Sequence, residues 1–305
     1  MSFLGFEIGG TKLQLVLGEA TGEISERWRF DVEPAKGGVG IRQQIEAALP
    51  GLLKKGPVKA VGLGFGGPVN WQTGRICLSH QIEGWSEFDL RGWLEPLVKA
   101  PVVVDNDANV AALGEALNGT GRGFEPVFYV TLGSGVGGGL VTGGRIYHGA
   151  RPGEAEIGHI RLDRTGTSLE SRCSGWAVDA RIRAVGKQFP DGVLAKKLGA
   201  KEGGEARHLS AALEANDSAA RAILDELAAD LSFGLSHVVH LFHPQVIVLG
   251  GGLSHIGEPL RSAVAEALKH FLMEAFLPGP KIALASLGED SVPVGALLLA
   301  TKRFE

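Results

Sequence analysis

Short apolar blocks punctuated by glycine set the frame of this chain. Phe3, Leu4, Phe6 and Ile8 lead into Gly9-Gly10-Thr11-Lys12, and Leu13, Leu15 and Leu17 alternate on the way out. Such alternation around a glycine pair predicts two strands joined by a tight turn. The device recurs later: Pro126 to Leu132 runs apolar, Gly133-Ser134-Gly135-Val136-Gly137-Gly138-Gly139 follows, and Leu140-Val141 resumes. Its appearance at the start of each half reads as a duplication of one strand-hairpin unit.

Between the two hairpins the pattern predicts a helix over about Gly40 to Lys54 and a strand over Ala60–Gly64. A short helical stretch spans Phe88 to Leu97, with Trp85 and Trp93 read as core residues. The β-branched run Pro101 to Val104 ends in Asp105-Asn106-Asp107, after which Val110, Leu113 and Leu117 recur at helical spacing and Gly119 stops the helix. A strand feeding a helix through a carboxylate-rich turn sets those side chains at the strand's carboxyl end, where open α/β sheets hold ligands. Taken alone, Asp107 reads as a helix N-cap.

Farther on, Ala219 to Leu241 is an amphipathic helix, and Val246 to Leu249 is a buried strand. Gly250-Gly251-Gly252 then leads into a helix over about Gly257 to Phe271. A strand over Lys281 to Leu287 and a helix over Pro293 to Ala300 complete an α/β pattern. The exposed link Thr120-Gly121-Arg122-Gly123 reads as the boundary between a smaller first domain, 1–119, and a larger second one, 120–291.

Composition narrows the partners. The net charge of −4 with no basic stripe argues against nucleic acid. No apolar run approaches the roughly 20 residues that cross a bilayer, so no membrane partner is expected. Cys77 and Cys173 are too far apart in sequence for a CxxC pair, and a reducing cytoplasm fits. Glycine is the outlier at 46 residues, and its clustering points to specific turns.

Three of those turns suit phosphate. The Gly9-Gly10 tip exposes backbone N–H groups beside Thr11 and Lys12, with Glu7 flanking it as a carboxylate in an apolar strand. The second hairpin and the Gly250–Gly252 turn are the others. Gly62, Gly64 and Gly67 satisfy GxGxxG literally, but Pro68 and a further strand follow where a dinucleotide fingerprint needs a helix. Glu154, Glu156, His159 and Glu170 form the densest titratable cluster outside the central turn. It lacks HExxH or a cysteine quartet and suits sugar hydroxyls; Glu154 reads as solvated loop.

Five motifs in order give the chain its resemblance to the ROK family: Glu7-Ile-Gly-Gly-Thr-Lys12, Asn106-Asp-Ala-Asn109, Leu132-Gly-Ser-Gly-Val-Gly-Gly-Gly139, Glu156-Ile-Gly-His159 and Leu249-Gly-Gly-Gly252. That resemblance implies two ribonuclease-H-like α/β domains of the actin-like ATPase type, with nucleotide and sugar in the cleft and the C-terminal helix (about 292–305) joining the first domain. It implies a cytoplasmic hexose kinase, glucose being the first choice of substrate, with Asp107 as the general base. Asn106, Glu156, His159, Glu170 and Gly67 would bind sugar. Gly9, Gly10, Thr11, Lys12, Gly133, Ser134, Gly135, Gly250, Gly251 and Gly252 would bind ATP, with Mg²⁺ near Glu7. A homodimer is implied as well. The family's DNA-binding repressors carry a helix-turn-helix ahead of the first hairpin, for which this chain leaves no room, so a sugar-sensing regulator is the second reading.

The departures from the family pattern carry expectations too. Glu7 replaces the usual Asp, Ser134 a common Thr, Ala155 a Gly (a mild change), and Gln81 a frequent Asn. The segment His159 to Glu170 lacks the cysteines of the family's zinc loop, and Cys173 alone cannot replace three ligands. No zinc is expected, so other packing has to hold the loop that positions Glu170.

Overall fold

The computed structural model describes residues 2–79, 82–151, 155–199 and 202–302; Gln81 and Glu154 lie outside them. The first five-stranded sheet is built from β1 (Ser2–Ile8), β2 (Lys12–Gly18), β3 (Ile24–Asp31), β4 (Val58–Phe65) and, after the small β5 (Val69–Asn70) and β6 (Arg75–Ile76) pair, β7 (Val102–Asn106). Its helices are α1 (Gly37–Leu53), α2 (Leu90–Val98) and α3 (Asp107–Leu117). The second sheet is built from β8 (Val127–Leu132), β9 (Val136–Thr142), β10 (Arg145–Ile146), β11 (Val246–Gly250) and β12 (Lys281–Leu284). Its helices are α4 (Leu169–Cys173), α5 (Gly175–Gln188), α6 (Leu209–Glu214), α7 (Ser218–Phe242) and α8 (Glu258–Lys269). The chain ends on α9 (Ser291–Thr301).

Both sheets follow one strand order, β3-β2-β1-β4-β7 and β10-β9-β8-β11-β12, a hairpin extended by parallel strands. This matches the duplication read from the two hairpins. Two compact units result: residues 1–123, 139–154 and 287–305 form one, and 124–138 with 155–286 form the other. Residues 139–154, assigned by the sequence reading to the second half, belong to the first unit, and the division runs through β9.

In the first unit, β1 and β2 are buried on both faces and read as nearly continuous apolar runs, while β3 alternates half-buried and exposed as an edge strand does. Trp85 is fully buried, with Phe65 and Phe88 edge-on at 5.4 and 5.3 Å between ring centroids. Trp93 packs on the same core, so both tryptophans are core residues. Trp93 lies inside α2.

The C-terminal helix α9 packs on β1, β4 and α3, and small residues make that approach possible. A Cβ built on Gly62 would lie 1.9 Å from the Ala296 carbonyl oxygen, and one on Gly295 would lie 1.8 Å from that of Val110. Glycine is the one residue that fits at such backbone-to-backbone contacts. Glu115 of α3, fully buried, ties the unit's two crossing points together. It accepts the Thr120 N–H (3.0 Å), the Leu287 N–H (2.9 Å) and the Ser291 hydroxyl (2.9 Å).

In the second unit, α7 spans nearly the predicted range and ends at His243 in the left-handed region (φ 46°). The triple glycine does not run into a helix. Gly251 turns at φ 77° against the Leu132 backbone, a 3₁₀ stretch covers Gly252–Ile256, and α8 begins only at Glu258. The helix thus starts within a residue of the expected Gly257, and the 3₁₀ stretch stands between it and the glycines. The first turn of α8 also carries Glu258, paired with Arg261 at 2.5 Å.

Candidate active site

At the tip of the first unit's sheet, β7 hands over to α3. The N-cap is Asn106, not Asp107: its Oδ1 accepts the Ala108 and Asn109 N–H groups at 2.9 and 3.3 Å. Asn106 also donates from Nδ2 to the Gly67 carbonyl at 3.1 Å, joining two of the expected sugar contacts. Asp107 is thereby the first helical residue, half-buried, its Oδ1 accepting the Ala108 N–H at 2.9 Å. A carboxylate there is favoured by the helix dipole, and the cap above it does the capping.

Next to Asp107 lies Gly66, at the end of β4. A Cβ built on Gly66 would sit 3.4 Å from Asp107 Oδ2, 3.4 Å from the Ile8 carbonyl oxygen and 3.6 Å from Gly9 Cα. The carboxylate and the root of the first glycine hairpin thus meet across a residue without a side chain. The hairpin closes with Gly9 N–H donating to the Lys12 carbonyl at 3.0 Å, and Thr11 is exposed at the tip.

Behind the tip, Glu7 is 9% exposed, and its two oxygens receive Lys12 Nζ at 3.2 Å and Gln14 Nε2 at 2.7 Å. Burial pushes the Glu7 carboxyl above its ordinary range, while Lys12 and Gln14 pull it back. Among the described residues, no group of three or more His, Cys, Asp or Glu is arranged to hold a metal. One buried carboxylate of this kind suits a Mg²⁺ that keeps its waters and takes phosphate oxygens.

In the second unit, the Gly133–Gly135 turn is closed by Gly133 N–H donating to the Gly135 carbonyl at 3.0 Å. The Gly175 N–H at the start of α5 donates to the Gly133 carbonyl at 2.7 Å. Ser134 is exposed at the tip. Glu170 latches this hairpin, its Oε2 accepting the Val136 N–H at 2.9 Å. Gly251 against Leu132 brings the Gly250–Gly252 turn to the base of the same hairpin.

Glu156 caps a 3₁₀ turn, Ile157–His159, that ends on His159, and both are exposed. The protein around Glu156 nevertheless raises its carboxyl by desolvation, against the pull of His159 and with a push from Glu170. The three belong to one electrostatic cluster. Ala155 just before them stands at φ 54°, in the left-handed region. Alanine in place of glycine is therefore a strained choice there, not a mild one.

What holds the cysteine-free loop is Asp163. Its Oδ1 accepts the Thr165 N–H and hydroxyl (each 2.7 Å), the Gly166 N–H (3.0 Å) and the Thr167 N–H (3.2 Å). Hydrogen bonds from Thr167 and Thr165 keep this carboxyl well below the usual carboxylate range. Arg161 and Ser168 form a bridge that closes the loop, and Ser168 with Ser171 makes a capping box at the head of α4, which carries Glu170. Cys173 is fully buried, its thiol pushed up to about 12 by burial, which leaves it inert.

Asp163 and Asp105 are the two carboxylates here to which the sequence assigned no role. Asp163-Arg-Thr-Gly-Thr is a legible turn sequence, with an Asp ahead of N–H donors two to four residues on.

Comparison with known proteins agrees with this architecture. The sequence profile of the ROK family matches residues 3–303. A glucokinase of Halalkalibacterium halodurans is 32% identical over 308 residues, covering 96% of this chain and 93% of that protein. The crystal structure of a ROK family glucokinase from Streptomyces griseus in complex with glucose and AMPPNP superimposes with a TM-score of 0.86 at 30% identity, covering 99% of this chain and 100% of that one. A ROK hexokinase from Thermus thermophilus gives a TM-score of 0.81 at 29% identity, with 99% of each chain covered. By sequence, by fold and by the order of its motifs, the chain belongs to the ROK family, among its sugar kinases.

Proposed function

We propose that the chain transfers the γ-phosphoryl group of ATP to the 6-hydroxyl of a hexose, glucose in the first place, with Asp107 as general base. The observation that carries this reading is the meeting of the Asp107 carboxylate with the Gly9 hairpin across Gly66. Proton acceptor and phosphate-binding backbone lie side by side there, as in-line transfer requires. Asp107 takes the proton from the hydroxyl as its oxygen bonds to phosphorus. The bond to the β-phosphate oxygen breaks, and ADP leaves with that electron pair.

Thr11, Lys12 and the backbone N–H groups of both hairpins serve the phosphates, with Gly250–Gly252 beside the nucleoside. Glu7 would hold Mg²⁺ through water, and the ion would neutralise charge on the phosphate oxygens. Asn106, with Gly67 behind it, and Glu156, His159 and Glu170 bind sugar hydroxyls. Carboxylates accept from vicinal hydroxyls, and the imidazole donates or accepts. Glucose leads because relatives at 27, 31 and 32% identity, each matched over nearly the whole chain, are named glucokinases.

Coupled ADP release measured across glucose, fructose, mannose and N-acetylated hexosamines tests the substrate. Asp107→Ala tests the base: turnover is expected to fall about 10²–10⁴-fold, while calorimetric sugar binding survives. Turnover equal to wild type in that variant removes the mechanism.

A further inference from the structure

The β7–α3 junction holds a second carboxylate that the proposed reaction leaves without a task. Asp105 is 3% exposed. Its Oδ1 accepts the Asn106 N–H at 2.8 Å and the Asn109 side-chain amide at 3.0 Å. Its Oδ2 meets His148 Nε2 at 2.7 Å. The His148 ring in turn stacks on Trp71, with centroids 4.1 Å apart and planes 18° from parallel. Trp71 follows β5, shortly after Gly67, whose carbonyl receives Asn106 Nδ2.

Three separate stretches of the first unit therefore converge on one junction: Gly67–Trp71, Asp105–Asn109 and the segment ending at His148. A buried carboxylate has to be compensated by donors on both oxygens. The donors on Oδ1 are local and belong to the junction itself. The donor on Oδ2 lies 43 residues away in sequence and is clamped by an aromatic face.

We infer that His148 is a positioning residue for Asp107, acting through Asp105. Held between Trp71 and Asp105, the imidazole stops the Asp105 carboxylate from rotating. That fixes the Asn106 peptide N–H and the Asn109 side chain, and hence the first turn of α3 from which Asp107 projects. Because Asp107 Oδ1 is itself bound to the Ala108 N–H, a shift of that turn carries the base with it. The inference rests on Asp107 being the base. A merely structural His148 would move thermal stability and leave turnover per folded molecule alone.

The test compares His148→Ala with His148→Gln, whose amide N–H can still donate to Asp105. For His148→Ala, kcat is expected to fall about 10- to 100-fold, because a misplacement of about 1 Å is enough to cost that much. KM for ATP stays within about twofold, and a crystal structure of the variant has the Asp107 carboxylate displaced by about 1 Å. His148→Gln returns kcat to within about fivefold of wild type. An alanine variant with wild-type kcat, an unmoved Asp107, or a glutamine variant no better than alanine overturns the inference. Wild-type protein that phosphorylates no hexose sinks the kinase reading instead, and the crystallographic position of Asp107 then still decides this one.

Discussion

The hairpins at Gly9–Lys12 and Gly133–Gly135 occupy the same place in two sheets of the same strand order, yet they are held differently. The first is backed by charge: Glu7, Lys12 and Gln14 form an ionic cluster within its own two strands. The second has no charged residue in its turn and is latched from outside, by Glu170 on Val136 and by the Gly175 N–H on Gly133. One backbone device, present twice, has been made a charged cradle in one unit and an apolar turn under a carboxylate latch in the other. The difference ties the second hairpin to a residue expected at the sugar, so the two are not interchangeable.

Alanine placed in the second hairpin tests this most severely. At Gly135 a Cβ would stand 2.5 Å from Glu170 Oε2, whereas at Gly133 nothing lies closer than 4.0 Å. Glu170 is flexible and can swing away, so Gly135→Ala is expected to cost little stability. It should lower kcat/KM by about 10-fold or more, the loss of a charge-assisted hydrogen bond. Gly133→Ala should stay near wild type. Equal kinetics for the two variants would dissolve the latch.

The charged cradle makes the opposite kind of prediction. The Glu7 carboxyl is raised by burial, so the folded chain binds that proton more tightly than the unfolded chain does. Stability from this group is full below the ordinary glutamate value of 4.5 and is lost as pH rises through the raised one. Glu7→Gln should therefore be more stable than wild type at neutral pH. It should also need several-fold more Mg²⁺ for half-maximal turnover. Urea midpoints across pH, alongside a Mg²⁺ titration, measure both; a destabilised variant would mean the charge is fully compensated in the fold.

A smaller gain is expected from Ala155→Gly, which relieves a left-handed alanine. About 1 kcal/mol is at stake, or a rise of about 1–2 °C in Tm for a chain of this size. An unchanged Tm would argue that the alanine is unstrained. The smallest expected effect is none. Treatment with a strong zinc chelator, followed by dialysis into Mg²⁺, should leave melting and activity unaltered if Asp163, the Arg161–Ser168 bridge and the Ser168–Ser171 cap organise the 160–169 loop. Loss that only zinc reverses would break that account.

Much of this was legible in the sequence because it is periodic. Leu13, Leu15 and Leu17 announce a strand, and Val110, Leu113 and Leu117 a helix, since burial on one face imposes the spacing. What escaped depends on contacts between distant residues or on backbone angles. Asp105 and His148 meet across 43 residues, and neither position carries a local pattern. Asn106 took the cap from Asp107 because its side-chain oxygen reaches both the Ala108 and Asn109 N–H groups, a matter of local geometry that residue type does not decide. The glycines at 250–252 lead on to the expected helix, but the 3₁₀ stretch between the two follows from φ at Gly251, which no periodicity reports. Alanine at 155 looked harmless because its φ is invisible in a letter.

The seating of α9 on β1, β4 and α3 has a consequence for how the protein is made. The ribosome delivers the first sheet early, and domains commonly fold as they emerge. Here the groove over Gly5, Gly62 and Gly114 stays open until the last helix arrives. The half synthesised first is thus completed last. For most of translation its apolar floor at Phe3, Val16 and Ala60 waits uncovered, a natural stretch for a chaperone to hold.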